Sequence, residues 1–225
     1  MFVPMSLALF DLDNTLIGGD SDCLWGRFLA EQGHVDGPEN ERRHRRYYQD
    51  YLDGSLDIHE FLGFQLEVLG KYEMDTLSGW RAQFLEEKIR PIVLPKAVRL
   101  VEDHRGRGDT LLIITATNRF LTAPIAALFD VPHLIATEPE WVDGRYSGRA
   151  IGTPSFAGGK VTRLAAWLAE HGETLTDSWC YSDSHNDLPL LRAATHPVAV
   201  DPDAPLAAAA RAHGWPIISL RQGTP

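Results

Sequence analysis

Two apolar runs in this chain end abruptly on paired carboxylates. The first reads Leu7-Ala8-Leu9-Phe10-Asp11-Leu12-Asp13-Asn14-Thr15-Leu16, and the second Tyr181-Ser182-Asp183-Ser184-His185-Asn186-Asp187-Leu188. An apolar run of that length predicts a buried strand. A strand that stops on acids delivers them to its carboxyl end, where open α/β sheets bind ligands. Set side by side in a parallel sheet, the two ends gather four carboxylates in one crevice. Like charges repel, so such a cluster calls for a cation among them. The economical reading is a Mg2+ site beside a carboxylate nucleophile.

Further strand-like runs occupy 110–115, 133–136, 178–182, 197–200 and 216–220, beside the first at 7–12. Helix-like segments at 95–105, 119–129, 160–171 and 186–194 separate several of them, and Ala207–Ala210 reads as part of another short helix. The alternation predicts an α/β fold: a Rossmann-like, mostly parallel sheet with helices on both faces. One interruption breaks the rhythm. Amphipathic patterns at 22–32, 39–52, 58–69 and 75–89 follow one another with no strand between them. The expected division is a catalytic core of residues 1–17 and 92–225, with 18–91 inserted as an α-helical cap. Asp143-Gly144, between short β-prone runs, predicts a hairpin.

Composition narrows the partners. A net charge of −10 over 225 residues disfavours nucleic acid and anionic membranes, which call for a basic face. No apolar stretch approaches membrane-spanning length. Residues 1–10 lack a basic region and run straight into Asp11, so no secretory leader is expected and the protein reads as cytoplasmic, a monomer or homodimer. Met5 is a second candidate start. Cys23 and Cys180 form no CxxC pair and read as reduced, largely buried thiols, which speaks against zinc.

The residue types suit phosphoryl transfer. The carboxylate of Asp11 can attack phosphorus and split one hard displacement into two easier ones. A second acid at Asp13 can protonate the leaving alkoxide and then deprotonate the attacking water. Thr115, with Ala116 after it, stands where an apolar strand ends ahead of a helix, and a hydroxyl with exposed N–H groups there suits a phosphate oxygen. Lys160 follows Gly158-Gly159 in the first turn of a helix, where a cation opposes the helix dipole; neutralising phosphate and nucleophile together would explain it. Mg2+ takes one or two carboxylates and keeps several waters. Asp11, Asp183 and the main-chain carbonyl of Asp13 suffice, with Asn186 and Asp187 in support, Asp187 orienting a water or Lys160.

In this order, Asp11-Leu12-Asp13-Asn14-Thr15-Leu16, Thr115, Lys160 and Ser182-Asp183-Ser184-His185-Asn186-Asp187 resemble the four motifs of the haloacid dehalogenase-like phosphatase superfamily. The resemblance spans essentially the whole chain. It is strongest toward the subgroup (subfamily IB) of phosphoserine phosphatases and histidinol-phosphate phosphatases. It implies Asp11 as nucleophile, Asp13 as general acid/base, Thr115 and Lys160 as phosphate ligands and Asp183 as a Mg2+ ligand. Ser182 stands where phosphoserine phosphatases usually carry Gly, Asp20 where they carry Glu, and Ala116 where Gly is common. The expected activity is a Mg2+-dependent phosphomonoesterase acting on a small metabolite through an aspartyl-phosphate. Histidinol phosphate is the favoured substrate; phosphoserine, or a phosphotransferase or mutase using the same intermediate, are the alternatives.

For substrate choice, Arg42-Arg43-His44-Arg45-Arg46 stands out in an acidic chain. On a helix Arg42 shares a face with Arg45 and Arg46, so these arginines either reach into the crevice toward an anionic group or form a solvated basic face. Asp20 and Asp22 would favour a cationic amine, and Asp20 could equally cap a helix. Tryptophans 25, 80, 141, 167 and 179 read as packing residues.

Overall fold

A computed structural model describes residues 6–221; the two candidate starts, Met1 and Met5, lie outside the described residues. The chain forms a seven-stranded sheet of β1 (Leu7–Phe10), β2 (Thr110–Asn118), β3 (His133–Val142), β4 (Arg145–Ile151), β5 (Trp179–Ser182), β6 (His196–Val200) and β7 (Ile217–Ile218), in the order β4-β3-β2-β1-β5-β6-β7. All pairings are parallel except β3 with β4. The chain runs outward from β1 to β2 and β3, then returns to place β5 on the other side of β1. That reversal makes a crevice at the carboxyl ends of β1 and β5.

Alternation along β1 sorts the core into two layers. Ala8 and Phe10 point into one cluster with Ala97 and Val101 of α5 (Pro95–Arg107) and Phe120 and Ile125 of α6 (Arg119–Ala127). Leu7 and Leu9 point into the other, with Leu164 and Trp167 of α7 (Gly158–His171), Leu190 and Leu191 of α8 (Leu188–Ala193), and Leu206 and Ala210 of α9 (Ala204–His213). Helices on both faces leave β1 wholly buried, which is why it reads as a continuous apolar run.

Between β1 and α5 lie α1 (Ser21–Glu31), α2 (Gly37–Leu52), α3 (Ile58–Leu66) and α4 (Met74–Phe84), the last continued by a π turn and a 3-10 turn through Ile92. The two ends of this insertion meet. Ile17 bridges Val93, Gly18 N–H donates to the Ile92 carbonyl at 2.8 Å, and Leu94 N–H to the Leu16 carbonyl at 3.2 Å. Asp20, Asp36 and Asp57 cap α1, α2 and α3 with their side chains, each satisfying an N–H that the helix leaves open.

Several boundaries differ from the sequence reading. β2 continues past Thr115 to Asn118 because Asn118 pairs with Thr137 of β3. β3 likewise runs on past Ala136 into the hairpin, whose turn residues Asp143 and Gly144 both have positive φ (49° and 81°), the backbone a two-residue hairpin turn requires. Residues 186–194 are not one helix: a 3-10 turn (His185–Asp187) precedes α8, with Pro189 in its first turn. Trp141 is half exposed on the hairpin rather than packed in the core.

Gly159 lies in the first turn of the helix that carries Lys160, and a Cβ there would collide with the Pro154 carbonyl oxygen. Gly159→Ala should therefore destabilise the protein by about 1–3 kcal/mol and displace Lys160. Thermal unfolding and phosphate release, measured on the same preparation, should both fall; an unchanged pair would show that the turn has room.

Candidate active site

Asp11 follows β1, and its main-chain N–H donates to the Tyr181 carbonyl of β5 at 2.9 Å, which ties the two strand ends together. Its side chain is buried. Lys160, 3% exposed, donates from Nζ to Asp11 Oδ1 and to Asp187 Oδ2, each at 2.7 Å. Ser182 Oγ donates to the same Asp187 oxygen at 2.7 Å. Asp187 thus orients Lys160, and Lys160 orients Asp11. Thr15 Oγ1 lies 3.4 Å from Asp11 Oδ2 and 3.2 Å from Asp183 Oδ1, so the carboxylates at the ends of β1 and β5 converge on one hydroxyl.

Asn14, at φ 58°, turns the chain immediately after Asp13. Asp13 is then gripped at both oxygens: Ser21 N–H donates to Oδ1 at 2.7 Å and Thr117 Oγ1 to Oδ2 at 2.8 Å. Thr115 is buried and its Oγ1 accepts the Thr117 N–H at 3.2 Å. Thr115 and Ala116 border the same cavity as Asp11, but they do not stand at a helix N-terminus as the sequence suggests. The extension of β2 moves the cap of α6 to Asn118.

The charges are strongly perturbed. Burial raises Asp11 to about 7, with Asp187 and Asp13 adding to it against the attraction of Lys160. Burial and the nearby Asp20 raise Asp13 to about 6. Burial, Asp11 and Asp187 raise Asp183 to about 8. Burial alone would favour a neutral Lys160, but Asp11 and Asp187 outweigh it and hold the ammonium charged. One ammonium among Asp11, Asp13, Asp183 and Asp187 leaves an excess of negative charge. Asp11, Asp183 and the Asp13 carbonyl offer oxygen donors only, and just two carboxylates, which suits Mg2+. Among the described residues no group of three or more His, Cys, Asp or Glu side chains is arranged to hold a metal, so a main-chain carbonyl or bound water would have to complete such a site.

The crevice opens into a cavity of about 1060 Å³ between the strand ends and the helical insertion. Its floor carries Asp11, Asp13, Thr115, Lys160, Asp183, Asn186 and Asp187. Its opposite wall carries Tyr47 and Tyr51 of α2, Phe61 and Gln65 of α3, and His44, together with the charged Arg27, Glu31, Glu41 and Arg45. Tyr47 packs edge-on to Phe61, with ring centroids 5.5 Å apart. Tyr51 Oη and Ser184 Oγ share a hydrogen bond of 2.7 Å, joining α2 to the loop that follows β5. Asn186 Nδ2 reaches the same Ser184 oxygen at 3.5 Å.

Of the arginines singled out in the sequence, only Arg45 borders the cavity, largely exposed and 3.6 Å from Glu41. Arg42 instead pairs with Glu39 at 2.6 Å, and Arg46 with Glu60 at 3.0 Å and Asp50 at 3.6 Å. These two form the solvated face, because neighbouring acids on α2 and α3 neutralise them there. Asp20 both borders the cavity and caps α1, accepting the Cys23 N–H at 2.8 Å. The sequence reading missed the wall itself. Its signal was present in the i, i+3, i+4, i+7 spacing of His44, Tyr47, Tyr48 and Tyr51 along one helix.

A parallel sheet with a lysine-clamped carboxylate at its switch point and a second acid two residues on is the frame of a phosphoryl-handling hydrolase. The family model for haloacid dehalogenase-like hydrolases matches residues 8–192, and the chain belongs to that family, among its phosphatases. It is 46% identical over 220 residues to a histidinol-phosphatase of Neisseria meningitidis, covering 96% of this chain and 99% of that one. A phosphoserine phosphatase of Mycobacterium tuberculosis is 31% identical, over 95% of this chain and 70% of its own. Among solved structures, a protein of unknown function from Bordetella pertussis superposes with a TM-score of 0.91 at 46% identity, covering 96% of this chain and 99% of that one. A substrate-bound phosphoserine phosphatase shares the fold, with a TM-score of 0.72 at 15% identity over 98% and 95%.

The raised carboxyls give a signed prediction for the metal-free protein. Folded values near 6, 7 and 8 lie above the ordinary 3.8. The stability these groups contribute is therefore full below pH 4 and lost as pH rises through 6–8. In EDTA the unfolding temperature should fall between pH 5 and pH 8, and Mg2+ should raise it more at pH 8 than at pH 5. A Mg2+ increment equal at both pH values would contradict this electrostatic account.

Proposed function

We propose that this phosphatase is a Mg2+-dependent phosphomonoesterase that cleaves histidinol phosphate through an aspartyl-phosphate on Asp11. The observation that carries the chemistry is the Lys160 clamp, which holds the Asp11 carboxylate in one orientation with Asp13 beside it. Asp11 attacks phosphorus and displaces the alkoxide, which takes its proton from Asp13. Asp13 then removes a proton from the water that attacks the acyl phosphate, and Asp11 is regenerated. Thr115 and the Ala116 N–H hold phosphate oxygens, and Lys160 balances their charge. Asp11, Asp183 and the Asp13 carbonyl would hold Mg2+, which supplies positive charge to the phosphoryl oxygens when bound. Asn186 and Asp187 support the loop and the lysine. Residues 18–91 act as a cap over a core of 1–17 and 92–225, and keep bulk water from the intermediate.

The reading of the substrate is supported by the relative from Neisseria meningitidis and by the cavity's two unlike walls. A leaving group held against Tyr47 and Phe61 meets aromatic faces and uncharged polar groups. Gln65 is 6% exposed, and its Nε2, like His44 Nε2, has no hydrogen-bond partner among the described residues. Burial, with Arg27 and Arg43 nearby, pushes His44 down to about 4, so its ring is neutral at pH 7. An imidazole suits such a wall, and an amine suits the acids around Asp20.

Phosphate release from histidinol phosphate, phosphoserine, phosphoethanolamine and p-nitrophenyl phosphate tests this directly. Histidinol phosphate should be preferred, EDTA should stop the reaction, and Asp11→Asn should reduce it below detection. A preference for phosphoserine would overturn the substrate, and turnover by Asp11→Asn would overturn the nucleophile. Gln65→Met should lower kcat/KM about tenfold for histidinol phosphate, the worth of one hydrogen bond to a buried group. It should leave p-nitrophenyl phosphate unchanged; equal loss on both esters would remove Gln65 from recognition.

A further inference from the structure

Asp22 lies in the first turn of α1, 6% exposed, and the proton transfers above make no use of it. Its contacts pose a problem in counting protons. Thr117 has one hydroxyl proton, yet its Oγ1 is 2.8 Å from Asp13 Oδ2 and 3.2 Å from Asp22 Oδ2. It can donate to only one of them. The other Asp22 oxygen is already accounted for. Asn118 Oδ1 accepts the Leu121 N–H at 3.2 Å, so the Asn118 amide nitrogen faces Asp22 and donates to its Oδ1 at 3.3 Å. With both carboxylates ionised, one oxygen–oxygen contact would have no proton between its atoms, in a buried place where an unmet polar contact is costly.

We propose that Asp22 is a positioning residue that acts as a neutral acid. It donates from Oδ2 to Thr117 Oγ1, so that the Thr117 hydroxyl in turn donates to Asp13 Oδ2 and fixes the rotamer of Asp13. With that proton in place every contact in the chain Asn118–Asp22–Thr117–Asp13 has one donor and one acceptor. The surroundings agree. Burial raises Asp22 well above the ordinary carboxyl range, and the charged groups that act on it, Asp20 and Asp13, are themselves acids. The network also joins α1 of the insertion to the end of β2, across 95 residues of sequence between Asp22 and Thr117. The proposal rests on Asp13 being the acid/base.

The test compares Asp22→Asn, Asp22→Ala, Thr117→Val and the double variant D22A/T117V, with kcat and KM measured on histidinol phosphate and p-nitrophenyl phosphate and unfolding temperature recorded for each. Asparagine reproduces the neutral pattern, donating to Thr117 and accepting from Asn118, so Asp22→Asn should keep kcat within about twofold. Asp22→Ala and Thr117→Val should each lose about tenfold in kcat, with KM little changed. Because both act through one hydroxyl, the double variant should fall no further than the poorer single. The proposal is overturned if Asp22→Asn falls as far as Asp22→Ala, since a charge would then be required, or if the two losses multiply. It is equally overturned if Asp22→Asn raises KM for the amine-bearing ester alone, which would make Asp22 a substrate contact. Should Asp22→Ala fail to fold, Asp22→Asn and Thr117→Val, which keep the side-chain volumes, still decide it. Full turnover by Asp13→Asn removes the acid/base reading and the proposal together. An inactive Asp13→Asn beside an Asp22→Ala of wild-type kcat overturns the proposal alone.

Discussion

One buried ammonium organises this molecule. Lys160 divides its charge between Asp11, just past β1, and Asp187, in the 3-10 turn that follows β5. Without it, the strand ends would bring together acids that repel at short range and have little water to screen them. The tight approach of Gly159 to Pro154 follows from that requirement, since α7 must start close enough to the sheet for its lysine to reach the floor of the crevice. The fold places the acids, and the lysine makes the placement tolerable.

The insertion adds a contrast to this charged floor. Its inner wall sets rings and an uncharged amide beside Arg27, Glu31, Glu41 and Arg45, while Arg42 and Arg46 pair away from the cavity with Glu39 and Glu60. A phosphate ester therefore meets two settings in one cavity: a floor of acids and one lysine for the phosphoryl group, and a wall of mixed aromatic, amide and charged side chains for what it is attached to. The Tyr51–Ser184 contact brings the two walls together beside Asp183.

Much of this was legible in the sequence, for physical reasons that can be named. Buried parallel strands appear as apolar runs, so the ends of β1 and β5 announced themselves where Asp11 and Asp183 begin. Lys160 was conspicuous because a cation in a first helical turn opposes the helix dipole. Asp143-Gly144 marked its hairpin through the positive φ both residues adopt. What stayed hidden depends on partners distant in the chain. The setting of Thr115 follows from Asn118 pairing with Thr137, a matter of register that no local pattern carries. The arginine run could not disclose which face was inward, because the acids that claim Arg46 belong partly to another helix. The grip on Asp13 joins residues of α1 and β2 that only the finished fold brings together.

That remoteness has a consequence for how the protein comes into being. Leu7 pairs with Thr110, and Ala8 with Trp179, so the first strand made waits for the middle of the chain before one neighbour exists and for much more of it before the other does. Contacts this distant in sequence close slowly. During synthesis Asp11 emerges long before Lys160 and Asp183, and no early fragment holds the complete set. The complete set therefore needs both the central sheet and the start of α7, and the appearance of activity in a refolding experiment would report that the two have come together.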